Sequence, residues 1–394
     1  MRKYVLFPAL LLAVCSLPAA ALPLTPSGKH VAVSTNASSE YDQGLRALNE
    51  KNLDLAEKMF MKAVENDRSA AGPLLALAEV ARLRKSDTDV EKWVRKAMEV
   101  APRSAETQLA MGRLLFARRD FTGAEKFMLN AASTDPKSTA PLFDLGELYL
   151  NATSQPVRAV EMFDKAVKLN PKHAGGHFGL AHAYLRSGNP GRALDHFKTA
   201  VRLEPENPLA LVGLSQAQAA QGKMDDAVAS LMAARKLAPK LDTIPLHLGM
   251  VHQQARRWTD AYAAYDDAIK LNGELAIAYN NLAWMAVERR ERLVEAVKWA
   301  QKAVDLAPRT TEFVDTLAWA KRAQGDLKGA VALLDSIAEA PNASPTALYH
   351  LGIAKAESGQ KREAIAAFKR VLNGNTKFAQ ADDVAIRIKQ LEAR

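Results

Sequence analysis

Six prolines of this 394-residue chain keep a nearly fixed period: Pro102, Pro136, Pro171, Pro205, Pro239 and Pro308 are separated by 34, 35, 34, 34 and 69 residues. The last gap spans two periods, with Gly273 at the skipped position. Other residues keep the same beat. A small residue recurs 24 positions before each marked place, at Ala78, Gly112, Ala181, Ser215 and Gly249, with Gly146 one place further because of a single-residue insertion. Alanines recur 12 positions before, at Ala124, Ala193, Ala227 and Ala261, and 5 before, at Ala97, Ala131, Ala166, Ala200, Ala234 and Ala303. A unit this short cannot enclose a core alone, so successive copies must stack and share one. The usual prior of about 150 residues per globular domain therefore does not apply.

Within each unit two runs of about 12 to 14 residues have helical spacing; Ala364, Ile365, Phe368, Val371 and Leu372 share one face. Each unit is thus a helical hairpin. Glycines such as Gly112, Gly146 and Gly249 let the paired helices approach, while Phe163, Tyr184, Phe197 and Phe368 fill the space between them. The proline sits where one hairpin ends and the next begins, where its missing N–H costs little. Composition agrees, with 48% hydrophobic residues but only 6% aromatic, a profile that favours helix over sheet.

The pattern resembles the tetratricopeptide repeat, and its fullest copy is Leu180-Ala181, Tyr184, Gly188, Ala193, Phe197, Ala200 and Pro205. Units begin near 37, 71, 105, 139, 174, 208, 242, 276, 311 and 345, giving ten repeats over 37–376. Two copies are weaker, with Val90 and Val94 or Leu334 and Ile337 where an alanine and an aromatic are usual. Residues 377–394 carry one apolar stripe, Phe378, Ala381, Val384, Ala385, Ile388 and Leu391, which suits a capping helix. The resemblance implies an all-α, right-handed superhelical solenoid. Single-residue insertions near Gln155-Pro156 and near 290–293 are expected to bulge from the loop inside a hairpin.

Arg2 and Lys3, an apolar run from Tyr4 to Val14 and Ala19-Ala20-Ala21 read as a secretory signal over residues 1–21. Leu12-Ala13-Val14-Cys15 also resembles a bacterial lipobox, which would make Cys15 a lipidated N-terminus; Val14 departs from that pattern, where Gly, Ala or Ser is usual. Residues 22–36, with Pro23, Pro26, Ser27 and Gly28, read as a flexible tether. Either reading of Cys15 predicts an exported protein, periplasmic or associated with the outer membrane.

The formal charge of +9 is spread through interleaved Lys, Arg, Asp and Glu, not gathered in a stripe. No nucleic-acid partner is expected. Catalytic and nucleotide-binding signatures are absent by inspection, so neither an enzyme nor a cofactor is expected. His173, His177 and His182 lie close in sequence, but no cysteine or ordered carboxylate set joins them, and they read as packing and surface residues, not a metal site. Asn36, Asn151 and Asn342 stand in glycosylation-type triplets and read as turn residues.

In tetratricopeptide arrays the first helix of each unit lines a concave groove, chiefly at its second, fifth, ninth and twelfth positions. Carried onto this sequence, the resemblance points to Tyr41, Leu75, Leu109, Phe116, Phe143, Phe178, His182, Arg186, Met250 and Gln253 in the first seven units. In the last three it points to Asn280, Trp284, Asp315, Trp319, Arg322, Tyr349 and Ile353. Trp284 and Trp319 hold equivalent positions and are expected side by side on the groove wall, with Asn281 able to bond a peptide backbone, whereas Trp93 and Trp299, on second helices, are expected buried. Large aromatics beside Asn, Asp and Arg are the mixture enriched at binding hot spots. The expected function is a cell-envelope adaptor that grips a protein or peptide. Segments 279–284, 315–319 and 349–352 resemble tetratricopeptide proteins of bacterial exopolysaccharide secretion and the exosortase system. Alternatives are an assembly factor for a pilus, secretin or outer-membrane complex, a glycan-binding module, or the recognition arm of a transferase. Replacing Trp284 and Trp319 together by alanine is expected to abolish partner binding while keeping helicity; unchanged binding in a pull-down counts against it.

Overall fold

The computed structural model describes residues 35–340, 343–374 and 378–393. The signal, Cys15, most of the tether and Asn342 lie outside the described residues. Those residues contain 21 α-helices, one π-helical turn and no strand. They form two compact bodies divided after Lys223.

The first body contains α1 (Thr35–Asn49), α2 (Leu53–Asn66), α3 (Ala71–Leu83), α4 (Asp87–Val100), α5 (Ala105–Ala117), α6 (Phe121–Thr134), α7 (Ala140–Glu147), α8 (Pro156–Leu169), α9 (Ala174–Arg186), α10 (Pro190–Leu203) and α11 (Pro208–Ala220). α1 begins two residues inside the span read as a tether. The second body contains α12 (Met224–Leu237), α13 (Thr243–Gln254), α14 (Trp258–Leu271), α15 (Ala276–Arg289), α16 (Leu293–Leu306), α17 (Thr311–Gln324), α18 (Leu327–Ala338), α19 (Pro345–Glu357), α20 (Lys361–Gly374) and α21 (Ala381–Glu392). In each body antiparallel hairpins stack in series, each helix touching its chain neighbours and first helices also touching the next first helix. No described helix is long and apolar enough to cross a membrane.

Every period-marking proline falls in a short connection between hairpins, as the spacing predicts. Second helices start from side-chain caps such as Asn52 on the Leu55 N–H, Asp120 on that of Gly123 and Asp326 on that of Gly329. These bonds satisfy donors that a helix start otherwise leaves open. The turn inside a hairpin needs one left-handed residue. Gly188, Gly325 and Gly359 supply it in three hairpins, but Lys51, Lys85, Arg119, Arg256 and Arg290 adopt it in five others.

Close approach of paired helices follows from one glycine facing one ring. A Cβ on Gly146 of α7 would lie 2.6 Å from the Phe163 ring, and one on Gly179 of α9 would also lie 2.6 Å from it. Phe163, fully buried on α8, is therefore held between two glycines of successive first helices. Gly249 with Tyr265 and Gly352 with Phe368 repeat the arrangement in the second body.

The insertion expected near Gln155-Pro156 appears one turn earlier. The end of α7 widens into a π-helical turn over Leu148–Ala152, and Ser154 takes a left-handed conformation. Leu148, Tyr149 and Leu150 stay buried, so the extra residue is absorbed within the helix without loosening the stack. The second insertion does open the loop, with Arg290 and Arg292 both left-handed. α21 packs on α20 through Val384 and Ile388.

Candidate functional site

In the second body, the first-helix residues singled out from sequence divide into two groups. Asn280, Asp315 and Tyr349, at one equivalent position in three successive repeats, are buried. Asn281, Trp284, Trp319 and Arg322 are half-buried. At two of the three the side chain meets a following element: Asp315 of α17 accepts from the His350 ring Nδ1 of α19 with both carboxylate oxygens at 2.9 Å. Tyr349 donates to Asp383 of α21 at 2.7 Å and packs against Phe378. These two side chains tie elements together instead of facing outward.

Trp284 and Trp319 both meet the ring of His350. Trp319 stacks on it at 4.0 Å between centroids, and Trp284 approaches it at 6.3 Å from two repeats away. Trp319 also carries the Arg322 guanidinium, 4.2 Å from its ring centroid, which itself forks onto Glu357 of α19, with Nε to Oε2 at 2.7 Å. Asp315, His350, Trp319, Arg322 and Glu357 thus form a charge-anchored stack locking α17 to α19. Its cation–π step contributes on the order of 0.5–2 kcal/mol. Sequence reasoning missed His350, although its spacing of 31 residues from Trp319 carries the signal.

Trp284 lies one helical turn beyond Asn280 and Asn281 on α15, so the three share a face. The amides continue a chain of hydrogen bonds: Asn280 Nδ2 donates to Asn281 Oδ1 at 3.5 Å, Asn281 Nδ2 to the Tyr265 hydroxyl at 3.4 Å, and that hydroxyl to Gln253 Oε1 at 2.7 Å. Asn280 Oδ1, at the end of this chain, is buried and has no partner among the described residues. Burial raises the Tyr265 hydroxyl far above its ordinary pKa, keeping it a donor. Trp93 is buried as expected, but Trp299 is only half-buried beneath the Arg292 guanidinium at 4.6 Å.

In the first body Phe116, Phe143 and Phe178 are half-buried on successive first helices. His182 is buried, its ring 4.5 Å from Phe178 and 5.0 Å from Phe197. Arg113 of α5 reaches Asp144 of α7 at 2.5 Å, an ion pair almost wholly out of water. Burial nonetheless holds the Asp144 carboxyl above the usual carboxylate range, with Arg113 opposing the shift. One turn on, burial raises Glu147 to about 7, and the Asn151 amide, donating at 2.7 Å, opposes that rise. The grouped histidines have packing roles. His173 caps α9 by accepting from the Gly176 N–H, and His177 donates Nε2–H to the Pro171 carbonyl at 3.0 Å, leaving Nδ1 to accept from His196. No cluster of three metal-ligating groups occurs among the described residues.

Residues 178–242, 246–309 and 316–382 match the tetratricopeptide repeat family. No curated protein matches the chain. Among solved structures, the anaphase-promoting-complex hetero-tetramer Cut9–Hcn1 is similar at 16% identity over 92% of this chain and 77% of that one, with a TM-score of 0.52. PilF of Pseudomonas aeruginosa aligns at 20% identity over 56% of this chain and 96% of its own, with a TM-score of 0.48. A tetratricopeptide repeat protein of Parabacteroides merdae ATCC 43184 aligns at 16% over 64% and 98%, at 0.49. At these identities the first likeness concerns the fold alone, and the other two carry no argument.

Proposed function

We propose, for a chain carrying tetratricopeptide repeats over most of residues 178–382, that it works by holding a partner protein or peptide along its first helices, as an adaptor of the bacterial cell envelope. Such repeats are in general protein–protein interaction scaffolds, and their fold is typically non-catalytic. The observation that carries the reading lies on α15. There the half-buried Trp284 and the half-buried amide of Asn281 lie one helical turn apart and share one face. An extended segment with an apolar side chain and a free backbone N–H would engage both.

The envelope setting rests on the N-terminal sequence, and a role in exopolysaccharide export rests on the resemblance of segments 279–284, 315–319 and 349–352. Both belong to this proposal. The test is a pull-down from detergent-solubilised envelopes with Asn281→Ala/Trp284→Ala beside Trp319→Ala. The first variant should lose the partner with its circular dichroism unchanged, because Asn281 makes only long hydrogen bonds, at 3.5 and 3.4 Å, and Trp284 meets His350 only at 6.3 Å. Trp319→Ala should chiefly lower thermal stability. Retention of the partner by a folded Asn281→Ala/Trp284→Ala protein contradicts the reading, and mass measurement of the mature N-terminus decides between cleavage near Ala21 and lipidation at Cys15.

A further inference from the structure

Register across the repeats leaves the Glu147 carboxylate without a counterpart on the next first helix. Counted from the start of each unit, the ninth residue of one first helix meets the sixth of the next: Arg113 meets Asp144 at 2.5 Å, and Trp319 stacks on His350 at 4.0 Å. By the same count, the counterpart of Glu147 is Gly179, which has no side chain to offer. Gly179 is glycine for another reason, since Phe163 fills the place of its Cβ. Glu147 therefore makes its hydrogen bond to Asn151 and has no ion pair among the described residues. Its neighbour Asp144 is already engaged by Arg113.

We propose that the first body takes a basic side chain here, a lysine or arginine from a partner segment, its charge on Glu147 and its hydrocarbon stem along Phe143 and Phe178. This rests on the reading that first helices hold a protein partner, and adds the chemistry that partner must present. Phe143 and Glu147 stand four residues apart on α7 and share a face. Phe143 also reaches across to α9, its ring 3.8 Å from where a Cβ of Gly175 would sit, so its ring lies at the boundary between α7 and the helix that carries Phe178. Both rings are half-buried and Glu147 is partly open to solvent. Aromatic faces beside a carboxylate suit a cation with an apolar stem.

Among the described residues no ion pair joins Glu147 to a cation of the surrounding elements, and Arg186, at the end of α9, makes none with it. On α5 Arg113 is held by Asp144, and on α8 Arg158 is held by Glu125 and Tyr149. On α9 His182 packs between Phe178 and Phe197. A carboxylate withdrawn from water and unpaired holds its proton to higher pH, as Glu147 does. Binding a cation there must lower that midpoint, because the charged form is the one favoured.

The probe is n-butylammonium, the lysine side chain without its backbone, titrated into full-length protein labelled with ¹³C at glutamate carboxyls. The Glu147 resonance is assigned by its loss in Glu147→Gln and, independently, in Glu147→Asp. n-Butylammonium should lower the Glu147 midpoint saturably by about half a unit, a preference of about threefold for the charged form. Equal ionic strength of sodium chloride, and n-butanol, should leave it in place, and Phe143→Ala should weaken the effect. No shift, or the same shift with sodium chloride, overturns the proposal. Saturation by calcium at much lower concentration also overturns it, in favour of a metal ion. The readout needs no natural partner, so it fails or succeeds separately from the pull-down.

Discussion

Glu147 shows how one residue records its surroundings in a measurable property. Its carboxyl sits near 7, raised chiefly by burial, against an unfolded value near 4.3. Between those values the folded chain keeps a proton that the unfolded chain has released, so stability falls as pH rises through that window. Glu147→Gln should therefore have a higher Tm than the parent at pH 8, with the difference narrowing steadily toward pH 5. A difference independent of pH contradicts the assignment. Arg113 makes the complementary case, because removing it strands Asp144 out of water. Arg113→Met should cost on the order of 3 kcal/mol by thermal or urea unfolding, and Arg113→Met with Asp144→Leu should cost less than Arg113→Met alone.

Among elements, α21 closes the second body through Val384 and Ile388 and through the Tyr349 hydroxyl on Asp383, which Arg387 also holds at 2.5 Å. Tyr349→Phe removes one of those bonds, worth about 1 kcal/mol. Amide exchange in α21 should accelerate about fivefold, while Tm changes little; unchanged exchange would show that apolar packing alone seats the helix. Tyr349 also marks what the sequence made legible. The period of prolines, alanines and glycines revealed hairpins, their order and their glycine–aromatic contacts, because these lie within 40 residues and recur. The inward residues were only partly legible. Family offsets place Asn280, Asp315 and Tyr349 on the groove wall, yet all three are buried, Asp315 against His350 of the next first helix and Tyr349 against Asp383 of α21. His350 and Gly179 matter through their register against a neighbouring repeat, which no single helix discloses. The π-helical turn at Leu148–Ala152 was hidden for a related reason: the count of residues shows an insertion, but local packing decides which turn absorbs it.

At the scale of the whole molecule, each body is a run of hairpins whose stability resides in their mutual contacts. Rows of first helices leave some side chains unspent on packing, notably Asn281, Trp284 and Glu147, and on this account those residues are what the protein presents to its partner. The most direct measurement places a photo-crosslinking amino acid at position 281, and in a second protein at the exposed position 302 on α16, and irradiates intact cells. One discrete adduct is expected from position 281, absent when Trp284 is also changed to alanine, and none from position 302. The same adduct from position 302, or one from position 281 that survives loss of Trp284, would contradict that reading.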